Sequence, residues 1–226
     1  MIEPDFVRTT RAFYDTVATD YAKRFRDPFA TRPLERAFLN AFAELVRAQG
    51  GPVADIGCGP GDTSGLLHTL GVPVFGIDLS SEMIALARGT YPALRFDQGS
   101  MLSLEIEDAS LGGLVAWYST IHTPDERLPD VFAEFNRVLT PGGHALLAFQ
   151  ADAEPRHVTS ADFGMSGEPV GLTFLRRSPQ LVIELLERAG LSLRAQMVRE
   201  REGTETARQA FLLAHKEPRS AAEDTA

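Results

Sequence analysis

Val53-Ala54-Asp55-Ile56-Gly57-Cys58-Gly59-Pro60-Gly61-Asp62 is the stretch whose reading decides the fold. Val53–Ile56 suits a short buried strand. It runs into three glycines, and a helix-compatible segment follows from Asp62 to about Leu70. Glycine lets the backbone turn sharply and lets a ligand lie against bare main chain. Asp55, two residues before the first glycine, puts a carboxylate at the crevice where strand order reverses in a doubly wound sheet. A dinucleotide loop, G-x-G-x-x-G, needs glycine at position 62, where Asp62 stands. No G-K-[ST] follows for a triphosphate loop. Carboxylates at both ends of the loop disfavour a pyrophosphate and suit a ligand that carries positive charge.

The pattern repeats outward. Val74–Ile77 reads as a second strand, and Ser80 caps a helix that runs to about Arg88. Ala93–Phe96 reads as a third strand. Leu114–Tyr118 reads as a fourth, apolar on both faces as a buried parallel strand is. Thr123-Pro124-Asp125-Glu126 has the form of a capping box, with a short turn expected before the main helix at 129–139 because of Pro129. His144–Phe149 is the fifth strand. His144, inside it after Gly143, reads as structural. A helix over about Ser178–Ala189 precedes two strands, Leu191–Val198 and Ala207–Ala214, which form an antiparallel edge hairpin. Ahead of the core, residues 5–26 and a segment starting at Pro33 read as helices. The expectation is a mostly parallel, seven-stranded α/β sheet of the doubly wound, Rossmann-like type. A helical cap at 1–50, a core at 51–215 and a frayed tail at 216–226 complete it.

Asp78 closes the second strand in Gly76-Ile77-Asp78-Leu79-Ser80, seventeen residues past Gly61. An acid there accepts hydrogen bonds from both hydroxyls of a ribose, so the ligand is nucleoside-like without a pyrophosphate. D-I-G-C-G-P-G at 55–61, G-I-D-L-S at 76–80 and L-T-P-G-G at 139–143 together resemble the class I S-adenosylmethionine-dependent methyltransferases over about residues 10–150. That resemblance implies that Gly57, Cys58 and Gly59 lie against the methionine part of S-adenosylmethionine and that Asp55 nears its amino group. It implies that Asp78 holds the ribose, that Leu79 and Met83 flank the adenine, and that Gly99-Ser100-Met101 closes on the adenine edge. The family usually has an acid where Ser100 stands, and a serine hydroxyl replaces part of that contact.

The resemblance extends to Phe13–Tyr21, a segment that folds over cofactor and substrate in small-molecule members. Tyr14 and Tyr21 are seven residues apart and share a helical face, so their hydroxyls are expected to reach the cofactor, and Tyr14 the acceptor as well. Residues just past the fourth strand sit beside the transferred methyl in this architecture. Here they are Trp117-Tyr118-Ser119-Thr120-Ile121-His122. Trp117 is expected against the cofactor and Tyr118 against the acceptor. His122 is the candidate general base, since its ordinary pKa lies near neutrality. No Asn/Asp-Pro-Pro-aromatic sequence is present, which opposes methylation of nucleic-acid bases, and no acid is there to hold magnesium, so no metal is expected. Residues 150–177 form a long connection of the kind used as lids. Phe163 and Arg176 in it are expected to contact the acceptor, the arginine through an anionic group.

Composition narrows the rest. The 226 residues carry 22 Lys+Arg against 31 Asp+Glu, a net charge of −9 that repels a phosphate backbone, so no nucleic-acid partner is expected. A single cysteine, Cys58, forms no internal disulfide and no thiolate metal cage. The acidic start Met1-Ile2-Glu3-Pro4-Asp5 does not read as a signal peptide, and no apolar run spans a membrane. A cytoplasmic methyltransferase acting on oxygen or nitrogen of a small, specialised metabolite is therefore expected. Two other readings stand beside it. An NAD(P)-dependent oxidoreductase shares the ribose acid, but the glycine register and the absence of Tyr-x-x-x-Lys oppose it; the lysines are Lys23 and Lys216. A non-catalytic S-adenosylmethionine-binding regulatory protein is the other.

Overall fold

Val53–Ile56 forms β1, buried along its whole length, and the sheet is built outward from it on both sides. The computed structural model describes residues 3–26, 28–165 and 169–218. β1 pairs in parallel with β2 (Val74–Asp78) on one side and β4 (Leu111–Trp117) on the other. β3 (Phe96–Gln98), β5 (Leu139–Ala151), β8 (Leu191–Arg199) and β9 (Arg208–Lys216) complete seven strands in the order β3-β2-β1-β4-β5-β9-β8. β9 runs antiparallel to both β5 and β8. The order reverses between β1 and β4, so the crevice beyond their carboxyl ends is where a ligand belongs.

Each face of the sheet has its own core. On one face α5 (Leu128–Val138) and α6 (Pro179–Arg188) set Phe132, Phe135, Leu186 and neighbours against Leu147, Phe149 and Leu212. On the other, α2 (Pro33–Gln49) and α3 (Asp62–Thr69) set Leu39, Phe42, Val46 and Leu67 against Val53, Val115 and Leu146. A third cluster lies elsewhere. Phe13 and Val17 of α1 (Asp5–Arg24) pack on Val158 and Leu172 of a separate hairpin, β6 (Arg156–Thr159) and β7 (Gly171–Phe174), which arises within the long connection after β5. α4 (Ser81–Thr90) begins where expected: Ser80 Oγ accepts the Met83 N–H at 3.1 Å.

Several elements differ from the sequence reading. β3 starts at Phe96 rather than Ala93, because Leu94 closes a turn onto Tyr91 first. That delay brings Gln98 beside Asp78. β4 starts at Leu111, three residues earlier than expected. Gly112 reads as a breaker but stays in the strand for a packing reason, since a Cβ there would fall 1.8 Å from the Gly50 carbonyl oxygen. β5 takes in residues 139–143. The capping box at Thr123 does not form, since its hydroxyl meets the Met101 sulfur at 3.6 Å, whereas the short turn expected before α5 is present as the 3-10 turn Asp125–Arg127. Lys216, expected in the tail, is the last residue of β9 and pairs with Leu191; residues 219–226 of that tail lie outside the described residues.

Arg199 at the end of β8 fastens this edge to α2. Its guanidinium lies 2.9 Å from Glu35 and 2.8 Å from Glu205, with both Arg199 and Glu35 buried. Removing one member of a buried ion pair strands the other charge. Arg199→Met is expected to lower the unfolding free energy by about 3 kcal/mol, and Glu35→Gln by less. Urea denaturation of the two variants tests this; equal, small losses would show the pair to be solvent-screened.

Candidate active site

The turn after β1 is held by main chain. The N–H groups of Gly57 and Cys58 both donate to the Ile77 carbonyl, at 2.7 and 3.0 Å. Gly57 and Gly59 both take left-handed angles, φ +73° and +54°, for different reasons. A Cβ on Gly57 would lie 2.3 Å from Ser119 Cβ, and Ser119 Oγ donates to the Ile56 carbonyl at 2.6 Å. Gly57 is therefore bare so that the chain leaving β4 can cross it. A Cβ on Gly59 would meet nothing within 4 Å, so that face of the turn is open. The Cys58 side chain points into the core with Phe96 and Ile84, where burial pushes the thiol well above its ordinary pKa. It leaves only its backbone to the turn.

Two acids flank the turn. Asp78 accepts the Gly59 N–H at 2.8 Å through one oxygen and the Ser80 N–H at 2.9 Å through the other. Burial raises its pKa against the pull of those two N–H groups. Asp55 is fully buried. One oxygen accepts Ser64 Oγ at 2.7 Å, and the other has no partner. Burial pushes its pKa up to about 7, although the Ser64 hydrogen bond works the other way. An orphaned buried carboxylate oxygen fits a ligand's cationic group.

On the far side of Asp78 a cleft of about 230 Å³ is lined by Leu79, Gly99 and Ser100, all expected there, and by Arg11 and Gln98, which sequence reasoning missed. Arg11 sits one helical turn before Tyr14, a spacing that placed it on the same face of α1. Met83 is fully buried at the start of α4, and Met101 is held by Thr123. A larger hollow of about 940 Å³ opens between α1, Phe29 and α3. Asp55, Asp78 and His122 do not line it, so its size does not mark the reacting centre.

α1 is pinned across this cleft. Arg11 Nε donates to the Leu79 carbonyl at 3.3 Å, and Ser80 Oγ donates to Asp15 at 2.6 Å. The Asp15 contact was not foreseen. The helix so placed brings the Tyr14 hydroxyl 2.8 Å from His122 Nε2. The other ring nitrogen, Nδ1, lies 3.3 Å from the Thr173 carbonyl of β7. A carbonyl can only accept, so Nδ1 carries the proton, and Nε2 accepts from the Tyr14 O–H. Burial, with Arg177 adding repulsion, pushes the His122 pKa down to about 4, against the Thr173 hydrogen bond. The ring is therefore neutral at pH 7. Phe174 stands edge-on to it, with centroids 4.7 Å apart.

The remaining predicted residues divide. Tyr21 packs against Tyr14, Phe25 and Phe163, and burial pushes its pKa up to about 12. Phe163 also packs on Phe13, which ties the connection after β5 to α1. Trp117 and Tyr118 join Phe29 and Phe211 in an aromatic group at the carboxyl end of β4 and the amino-terminal half of β9. Tyr118 holds φ +54°, a strained angle for a bulky residue, where the chain turns off β4 towards Ser119. Its hydroxyl is influenced by Glu35, Arg199 and Glu205, on the side away from α1. Arg176 donates to Gln150 Oε1 at 2.9 Å, the Glu154 carbonyl at 3.2 Å and Thr206 Oγ1.

Comparison with known proteins agrees with this geometry. Residues 53–143 match the family model of a methyltransferase domain. An O-methyltransferase of Pyrenophora dematioidea is 32% identical over 121 residues, which are 50% of this chain and 45% of that one. The demethylmenaquinone methyltransferase of Chlorobaculum parvum is 34% identical over 96 residues, 42% and 39% of the two chains. This chain thus spans less than half the length of these relatives. Among solved structures, the [4+2]-cyclase SpnF superimposes with a TM-score of 0.71 at 17% identity, covering 96% of this chain and 98% of that one. The magnesium protoporphyrin IX methyltransferase of Synechocystis PCC 6803, with bound S-adenosylmethionine, gives 0.68 at 14% identity, covering 96% and 100%. Residues 53–143 are thus a methyltransferase domain by their match, and the seven-stranded sheet around them has the Rossmann-like fold of the solved methyltransferases.

The depressed His122 pKa makes stability depend on pH. The unfolded chain takes up a proton near 6.5 and the folded one only near 4, so stability is full above about 6.5 and is lost as pH falls towards 4. The contribution is on the order of 3 kcal/mol. Urea midpoints at pH 7, 6 and 5 are expected to fall in the wild type and to fall less steeply in His122→Asn. Parallel slopes in both would show that His122 is not buried neutral.

Proposed function

We propose that this protein transfers the methyl group of S-adenosylmethionine to an oxygen or nitrogen of a small-molecule acceptor. The observation that carries this is the buried Asp55 carboxylate in β1 with one unpartnered oxygen, in the strand that leads into the turn whose Gly59 is open. When bound, S-adenosylmethionine supplies a methyl already activated on a sulfonium. Asp55 would accept from its amino group. Asp78 has lone pairs beyond the two N–H bonds it already accepts, and these would take the ribose hydroxyls. Gly59 would give the close backbone approach, and Leu79, Gly99 and Ser100 would line the adenine site, with Met83 and Met101 behind them.

The chain's remaining task is to hold a nucleophile in line and to remove its proton where it starts protonated. Tyr14 and His122 are the residues placed for this. An acceptor O–H set against the Tyr14 oxygen gives its proton there as the Tyr14 proton passes to His122 Nε2. The imidazolium so formed then releases a proton to water. A base whose pKa is near 4 is fully deprotonated at pH 7 but pulls weakly, so orientation carries more of the rate than proton removal. α1 and the β6–β7 hairpin act as the lid that keeps the acceptor dry, as their shared cluster of Phe13, Val17, Val158 and Leu172 supports.

Two tests follow. Asp55→Asn replaces an unpaired buried carboxylate by a neutral isostere. It is expected to raise the melting temperature of the free protein while weakening S-adenosylhomocysteine binding at least tenfold; a fall in both would make Asp55 a scaffold residue only. With a screen of metabolites scored by S-adenosylhomocysteine release, His122→Ala is expected to lower kcat ten- to a hundredfold with cofactor affinity unchanged. Wild-type turnover should stay level between pH 6 and 8. Full activity in His122→Ala would remove the base role.

A further inference from the structure

The chain holds 31 acids against 22 Lys+Arg, and many of its arginines pair with carboxylates: Arg177 with Asp125, Arg137 with Asp108 and Glu134, and Arg208 with Asp152. Arg176 does not. Its guanidinium is half-buried and its protein partners are all neutral: Gln150, the Glu154 carbonyl and Thr206. A second arginine stands near it. Arg156 pairs with Phe174 across the β6–β7 hairpin, and its charge together with burial lowers the Arg176 pKa. Arg156 is in none of the ion pairs within 4 Å among the described residues, and the carboxylate its charge reaches is Asp162, whose pKa it helps to lower. Two cations side by side, one of them partly desolvated, repel each other unless an anion lies between them.

Their placement is directional. Directly paired residues of a hairpin share a face, so Arg156 lies on the side of Phe174, and Val158 and Leu172 of the same face pack on α1. That is the face Phe174 presents to His122. Arg176 lies two residues beyond Phe174 in extended chain, and through Gln150 it reaches the carboxyl end of β5. Gln150 pairs with Gln209, two residues from Phe211, whose ring stacks 5.3 Å from Trp117. The arginines therefore lie near two aromatic groups, Phe174 beside His122 on the hairpin and Trp117 with Phe211 on the sheet.

We propose that the acceptor carries a carboxylate on an unsaturated or aromatic body, and that Arg176, assisted by Arg156, receives that carboxylate. This rests on the methyltransferase reading above and names its substrate class. A planar guanidinium held by three fixed acceptors suits a planar carboxylate. The anion draws the acceptor's far end to the lid and leaves its hydroxyl or amine at the Tyr14–His122 end.

The test is binding to protein saturated with S-adenosylhomocysteine. The probes are a panel of hydroxylated carboxylates and their primary amides, starting with 4-hydroxybenzoate and 4-hydroxybenzamide, measured by calorimetry. The expected result is at least tenfold tighter binding of the acids. In Arg176→Gln that preference should drop to less than threefold, and in Arg156→Gln, at an exposed position that spares the fold, it should shrink. S-adenosylhomocysteine affinity should be unchanged in both. Acids binding no better than amides, a preference that survives Arg176→Gln, or binding of inorganic phosphate where the whole panel fails would each overturn the proposal. Failure of S-adenosylhomocysteine to bind the wild type would instead strike the methyltransferase reading itself.

Discussion

A single carboxylate, that of Asp78, joins the two backbone turns that make the crevice. One oxygen takes the Gly59 N–H and the other the Ser80 N–H, so the exits of β1 and β2 are tied through the end of β2. Ser80 in turn caps α4 and donates to Asp15, which fixes α1. α1 carries Tyr14 to His122. A chain of side-chain hydrogen bonds thus runs from the glycine turn to the Tyr14–His122 pair. Every member is held by backbone or by a group that is itself held. Precision of this kind is what placing a nucleophile in line requires.

How far the sequence reveals this depends on range. β1, the glycine turn and Asp78 are legible because a few adjacent residues define them. The start of β4 is not, because Gly112 in isolation looks like a breaker and only the nearby Gly50 carbonyl explains it. Thr123 has the form of a cap, but Met101, twenty-two residues away in the chain, claims its hydroxyl. The Asp15–Ser80 and Tyr14–His122 contacts span 65 and 108 residues, so no local pattern predicts them. Within the long connection at 150–177 the β6–β7 hairpin is not legible, since Val158 and Leu172 show their purpose only once α1 covers them. Even so, the sequence points to Tyr14 and to His122 separately. What the sequence withheld was that they touch.

The fold by itself does not settle the chemistry. The same architecture is shared by a methyltransferase with bound S-adenosylmethionine and by a [4+2]-cyclase, as expected where function resides in sites grafted on a common scaffold. What distinguishes this chain is its own side chains. The orphaned oxygen of Asp55 speaks for a cationic ligand, and the neutral His122 for a proton acceptor.

The bond between Tyr14 and His122 has a consequence for traffic. It closes the imidazole from above while Thr173 closes it from the side, so the ring is buried in the free protein. Any molecule that is to touch Nε2 directly must first part the two residues. Left intact, the same bond offers a proton a route to the buried ring through the Tyr14 oxygen while keeping larger groups off Nε2.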